Sequence, residues 1–139
     1  MEKPKRALPN PTPETIHFWE GTRAGKLLLQ SCSSCKSTYF PPRPFCPNCG
    51  SRKVDLSEAS GKATLDSYVI NHRNHPAFEG PYAIAIVKLA EGPRMMTNIV
   101  DCPQTPEALV LDMPLIVKFE DVSEEITLPL FKPGDDESE

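Results

Sequence analysis

The sequence predicts a mainly β protein in three parts: a short N-terminal helical segment, a small cysteine-held ribbon and a five-stranded barrel. Three observations carry this. Four cysteines stand as two C-x-x-C pairs, Cys32 with Cys35 and Cys46 with Cys49. Sixteen prolines among 139 residues, with no repeating period, break the chain into short elements and exclude long helices. After Ser60-Gly61 the apolar residues fall into five short runs of strand character. The parts divide as 1–25 for the arm and helix, 26–59 for the ribbon, 60–133 for the barrel and 134–139 for an acidic tail.

Residues 1–11 carry basic residues and prolines with little to bury, as a mobile or partner-ordered arm would. A helix start follows, with Thr12 as N-cap, Pro13 in the first helical position, Glu14 facing the dipole and Gly25 as the stop after Ala24. Ile16 and Trp19 are spaced to share a face, while Phe18 points elsewhere. These side chains either cap the ribbon or form a partner surface, since aromatics on an amphipathic terminal helix are common interface anchors.

The ribbon spans QSCSSCKSTYFPPRPFCPNCG, residues 30–50, between strands expected at Lys26–Gln30 and Arg52–Ala59. Ten residues separate the two cysteine pairs. Two tight turns facing each other supply the four-thiolate set of a structural zinc and leave no coordination position for a substrate. Cys32, Cys35, Cys46 and Cys49 are therefore read as ligands of one zinc per chain. A mononuclear iron of the same geometry is the alternative. Disulfides would need an oxidising compartment, and the start MEKPKR has no apolar signal region, so the expected location is cytoplasmic. Pro47 and Gly50 suit the second turn, whereas Lys36 stands where glycine is easiest and implies slight strain. Apolar residues between the knuckles are few, so metal binding is expected to supply most of the ribbon's stability.

The barrel strands are expected at Gly61–Asn71, Tyr82–Ala90, Arg94–Asp101, Pro114–Asp121 and Ile126–Phe131. YAIAIVKL reads as a strand buried on much of both faces, and EGPR as a hairpin turn. Five strands with longer loops at 71–81 and 102–113 fit the Greek-key barrel known as the OB-fold.

Charge narrows the function. Residues 1–60 hold nine Lys and Arg against five Asp and Glu, while residues 61–139 hold six against fourteen. A C-terminal half at −8, acidic tail included, with few aromatics (Tyr68, Phe78, Tyr82, Phe119, Phe131) lacks the positive groove and stacking platform that nucleic acid requires. No apolar run approaches the roughly 20 residues of a membrane span. There is no nucleophile motif, Gly-rich phosphate loop or paired-carboxylate signature. His72 and His75, with Arg73 between them in NHRNHP, are the best acid–base candidates, but they read first as solvated loop residues. Cys102 precedes a proline at a strand end and reads as a half-buried, unreactive thiol.

FWEGTRAGKLLLQSCSSCKSTYFPPRPFCPNCGS, the Ser60-Gly61 pair, PYAIAIVKLAEGPRMMTNIVDC and LPLFKP together resemble the small zinc-ribbon/OB-fold proteins that accompany thiolase-superfamily enzymes. The resemblance covers nearly the whole chain. It implies an N-terminal helical segment, a rubredoxin-like zinc ribbon and a C-terminal OB barrel, with the four cysteines as zinc ligands. Lys36 departs from the glycine common in the family at that place.

The resemblance also implies a non-catalytic accessory or scaffold role in acyl-CoA metabolism. Members of the family bind thiolases, thiolase-like acyltransferases, hydroxymethylglutaryl-CoA synthases, thiolase-like aldolases of steroid side-chain degradation or hydratase-like subunits, bridging or completing them. The partner supplies the catalytic side chains, and the expected partners of this chain are a thiolase-superfamily enzyme and, beside it, a second acyl-CoA enzyme. For such a partner surface the sequence offers Phe18, Trp19, Phe40, Arg43, Phe45, Phe131 and Pro133. For direct contact with the phosphates of CoA it offers Arg43, Arg73 and Arg94. A stand-alone acyl-CoA binder and a nucleic-acid-binding ribbon/OB protein are the competing readings.

Overall fold

The computed structural model describes residues 8–73 and 78–134; His75, the first seven residues of the arm and most of the acidic tail lie outside them. Helix α1 (Ile16–Arg23) opens later than the Thr12 cap signal places it. Thr12 still closes the entry, because its carbonyl accepts from the Thr15 and Ile16 amides at 2.9 and 2.8 Å. Pro13 and Glu14 thus form a turn ahead of the helix, and Thr15 is the N-cap residue. The exit is as expected. Gly25 takes φ +81°, and the Lys26 and Gly25 amides donate to Gly21 and Thr22 carbonyls, the paired bonds of a glycine C-cap.

The helix turns Phe18 inward. At 5% exposure Phe18 is mostly a core residue, and what it leaves open faces the groove described below. The reason is that α1 lies on β1, β7 and β8, and Phe18 is the side chain that meets their apolar faces, with Phe40 at 5.1 Å and Trp19 at 4.9 Å between ring centroids.

The ribbon is a three-stranded antiparallel sheet of order β2-β1-β3, with β1 (Leu28–Cys32) central, β2 (Thr38–Tyr39) and β3 (Val54–Glu58). Strand β2 is two residues long, pairing Tyr39 with Gln30 and Thr38 with Ser31, and is too short for a sequence period to announce it. Leu27 and Leu29 are buried in the barrel's core, while Cys32, Tyr39 and Cys46 form a separate small cluster at the ribbon's tip.

The second sheet has order β6-β5-β4-β7-β8: β4 (Lys62–Asn71), β5 (Tyr82–Leu89), β6 (Arg94–Thr97), β7 (Pro114–Asp121) and β8 (Thr127–Pro133). It curls until its two ends meet. A parallel bridge joins Ile99 to Phe131, and Thr97 Oγ1 donates to the Pro129 carbonyl at 2.9 Å. This is an OB-type half-barrel. Strand β6 stops at Thr97 rather than Asp101, because the chain beyond it leaves β5 to reach β8.

Strand β4 bends at a bulge between Leu65 and Ser67. Ala63 and Leu65 point inward before it; Tyr68 and Ile70 pack on the core after it, so one extra residue shifts the buried set from odd to even positions. Strand β5 alternates strictly, with Ala83, Ala85, Val87 and Leu89 buried and Tyr82, Ile84 and Ile86 half-covered on the outer face. Phe131 is fully buried among these side chains, which corrects its assignment to the partner surface. The Ile99 bridge pulls β8 against the end of β6 and closes the barrel over its ring.

Gly61 makes the sharp entry to β4. Its φ is +89°, and a Cβ there would lie 2.7 Å from Val117 Cγ1. Gly61→Ala is expected to cost about 2 kcal/mol or more, from left-handed backbone plus overpacking. Chemical denaturation checks this; pairing it with Val117→Ala should recover the steric share, and an unchanged midpoint for the single variant would contradict the account.

Candidate metal centre and apolar groove

The two knuckles are built alike. In the first, the Lys36 amide donates to the Cys32 carbonyl and the Cys32 amide to the Ser37 carbonyl; in the second, Gly50 donates to Cys46 and Cys46 to Ser51, all four bonds at 2.8 Å. Each turn needs positive φ at its closing residue, and Lys36 takes φ +68° where Gly50 takes +82°. The strain expected at Lys36 is thus present in the backbone.

These turns bring the four sulfurs together. Cys32 and Cys49 Sγ are 3.7 Å apart, Cys35 and Cys46 Sγ 3.6 Å, and all four lie within 4.8 Å of one another. A tetrahedral ion with metal–sulfur bonds of about 2.3 Å requires sulfur separations near ~3.8 Å. The donor set therefore fits a four-thiolate metal site. The electrostatics agree for two of the ligands. The Cys35 amide next to its sulfur holds the Cys32 thiol below its usual range, and the Ser37 hydroxyl, followed by the Asn48 side-chain amide, brings Cys35 down to about 5. Thiolate is the form that binds metal. Tyr39 beneath the site is pushed up, first by burial and then by the cysteine charges.

The other site candidates scatter over the molecule. Arg43 is exposed on the ribbon loop, where its backbone amide donates to Gln30 Oε1 at 2.7 Å. Arg73 and His72 are exposed on the loop after β4, and Arg94 on β6 has its Nε 3.3 Å from Asp66 Oδ2. Phe45 is 40% exposed. Cys102 is half-buried, its thiol pushed up by burial and then by Asp101.

What the structure does bring together is an apolar groove of about 490 Å³ where the three parts of the chain meet. Trp19 and Phe40, two of the expected interface residues, line it with Pro41 and Pro42 from the ribbon. The buried Phe18 forms part of its wall. From the barrel come Phe78 and Tyr82, stacked at 3.8 Å, together with Met95, Met96 and Leu128. No Asp, Glu, Lys, Arg or His lines it among the described residues. The apolar surface continues over the outer face of the sheet, where Met96 is 69% and Val69 61% exposed. Sequence reading missed Phe78, Tyr82 and the two methionines. The available signal was the alternation of β5 and β6, whose outward positions, Ile84, Ile86 and Met96, are aliphatic where a solvated face would be polar.

The family model described as the ChsH2 rubredoxin-like zinc ribbon domain matches residues 19–55, and that described as the ChsH2 C-terminal OB-fold domain matches residues 56–120. A DUF35 domain-containing scaffold protein of Methanocaldococcus jannaschii is 38% identical over 103 residues, covering 71% of this chain and 71% of that protein. A probable enoyl-CoA hydratase alpha subunit of Thermomonospora curvata is 39% identical over 136 residues; the alignment covers 96% of this chain but only 42% of that longer protein. Among solved structures, a chain of the Ltp2-ChsH2(DUF35) aldolase superposes with a TM-score of 0.81 at 37% identity, covering 91% of this chain and 98% of that one.

Proposed function

The chain belongs to the DUF35 family, with a ChsH2-type zinc ribbon and OB-fold, and from that membership we propose that it is an accessory subunit of a thiolase-superfamily acyl-CoA complex. The catalytic partner is an acyltransferase, thiolase or aldolase type of enzyme. This chain bridges or completes it and contributes no chemistry alone. The observation that carries the reading is the uncharged, aromatic groove, continuous with an exposed aliphatic sheet face, because buried aromatic anchors in apolar pockets dominate protein interfaces. Relatives named as a scaffold, as an alpha subunit and as part of an aldolase complex support it. The metal is zinc, one per chain, and its chemistry is that of a closed structural cross-link.

Trp19 tests this directly. It is half-covered and sits at the groove rather than in the core, so Trp19→Ala is expected to weaken partner assembly about tenfold or more while lowering the melting temperature of the isolated chain only slightly. The reverse ordering, a large loss of stability with intact assembly, would contradict it.

One observation favours a second reading. A groove of about 490 Å³ also has the size of a ligand pocket, and two of its lining residues, Pro42 and Met95, adjoin Arg43 and Arg94 in sequence. An acyl group in the groove with CoA phosphates on Arg43 or Arg94, and Arg73 as a third candidate, describes a stand-alone acyl-CoA binder. Retention on immobilised CoA without any partner separates the two. A nucleic-acid role is disfavoured by the placement of the barrel aromatics, since Phe131 is buried, Tyr68 and Phe119 pack on the core, and Phe78 stacks on Tyr82.

A further inference from the structure

The two knuckles repeat each other in backbone geometry, so their side chains can be compared position by position. Ser34 corresponds to Asn48, Cys35 to Cys49 and Ser37 to Ser51. The likeness ends at Asn48. Its side chain crosses to the other knuckle, placing Nδ2 3.5 Å from Cys35 Sγ and 3.3 Å from Ser37 Oγ, while Ser37 Oγ itself lies 3.2 Å from Cys35 Sγ. Ser34 is shorter and goes no further than Ser51 Oγ, at 2.9 Å. Among the described residues no hydroxyl or amide side chain reaches Cys49 Sγ. Exposure follows the same asymmetry: Cys32 and Cys46 are buried, Cys35 is half-covered and Cys49 is exposed.

We propose that the metal is held unequally, with Cys35 as the locked ligand, Cys49 as the labile one, and Asn48 as the positioning residue that makes the difference. A metal-bound thiolate keeps negative charge, and donors aimed at it favour the bound form over the protonated or alkylated thiol. Cys35 has two such side-chain donors within one network spanning both knuckles. Cys49 has solvent. Competing reagents therefore enter at Cys49: its sulfur attacks the carbon of iodoacetamide, an S–C bond forms, and iodide leaves with its electron pair. The inference rests on the zinc assignment above and is independent of any partner.

The test uses the full chain loaded with one equivalent of zinc. Brief treatment with iodoacetamide, followed by peptide mass mapping, is expected to modify Cys49 before the other three ligands. Asn48→Ala is expected to speed zinc release to a chromogenic chelator by about tenfold or more and to bring Cys35 modification forward, whereas Ser34→Ala leaves both unchanged. Asn48→Asp keeps the shape but puts a carboxylate beside the thiolate, so its release is expected to be at least as fast as that of Asn48→Ala. Native release from Asn48→Asp, equal effects of Asn48→Ala and Ser34→Ala, or modification of Cys35 as early as Cys49 in the native chain would each overturn the proposal alone. A chain that takes up no zinc would overturn the zinc assignment with it.

Discussion

Cys46→Ser is expected to strip the chain of its metal and melt the tip of the ribbon while the barrel stays folded. The ribbon's own apolar cluster is only Cys32, Tyr39 and Cys46, with Cys35 and Val54 against it, so two of its three buried members are ligands. Phe40 ties the middle of the segment to the main core through Phe18, but among the described residues no second buried cluster holds the two knuckles themselves. Apparent binding energies of structural zinc reach about 10–16 kcal/mol in peptides of this kind, far more than such a cluster supplies. The base of the ribbon differs, because Leu27 and Leu29 are buried in the barrel core and remain held there. Metal analysis should fall from one ion per chain to none, and hydrogen exchange should accelerate through residues 32–54 but not through β4 and β5. A variant with a full metal complement and native exchange in the ribbon would contradict the account.

Phe131→Ala is expected to cost about 3–5 kcal/mol, a large part of the whole stability of a domain this size. Phe131 is fully buried, and its backbone carries the closure of the barrel: the Val100 amide donates to its carbonyl at 2.8 Å and its own amide to the Asn98 carbonyl at 3.2 Å. A cavity at this point weakens the contact between the two ends of the sheet. Denaturant titration checks it. A loss below about 1 kcal/mol would be that of a surface side chain and would return Phe131 to the interface.

Sequence reading succeeded where a local rule acts alone. The C-x-x-C spacing dictates the knuckles, Gly25 terminates the helix, and apolar runs bounded by turn residues mark β5 and β7 to within a residue. It was less informative where partners distant in the chain decide. Phe18 and Phe131 are as apolar as an interface anchor and as a core residue, and only the approach of α1 to the barrel and of β8 to Ile99 assigns them to the core. Strand β2 is too short to carry a period of its own, and the bulge in β4 conceals its inward pattern by changing its phase. The metal centre was legible because its four ligands come from two short motifs. The groove was not, because its walls come from residues as far apart as Trp19, Phe78 and Leu128.

The accessory-subunit reading is tested most directly by affinity purification of the tagged chain from its native cells, with nuclease treatment and mass spectrometry of what accompanies it. The expected result is a thiolase-superfamily enzyme in near-stoichiometric amount, lost when Trp19→Ala is used as bait. Recovery of the native chain by itself, or with no acyl-CoA enzyme, would contradict it.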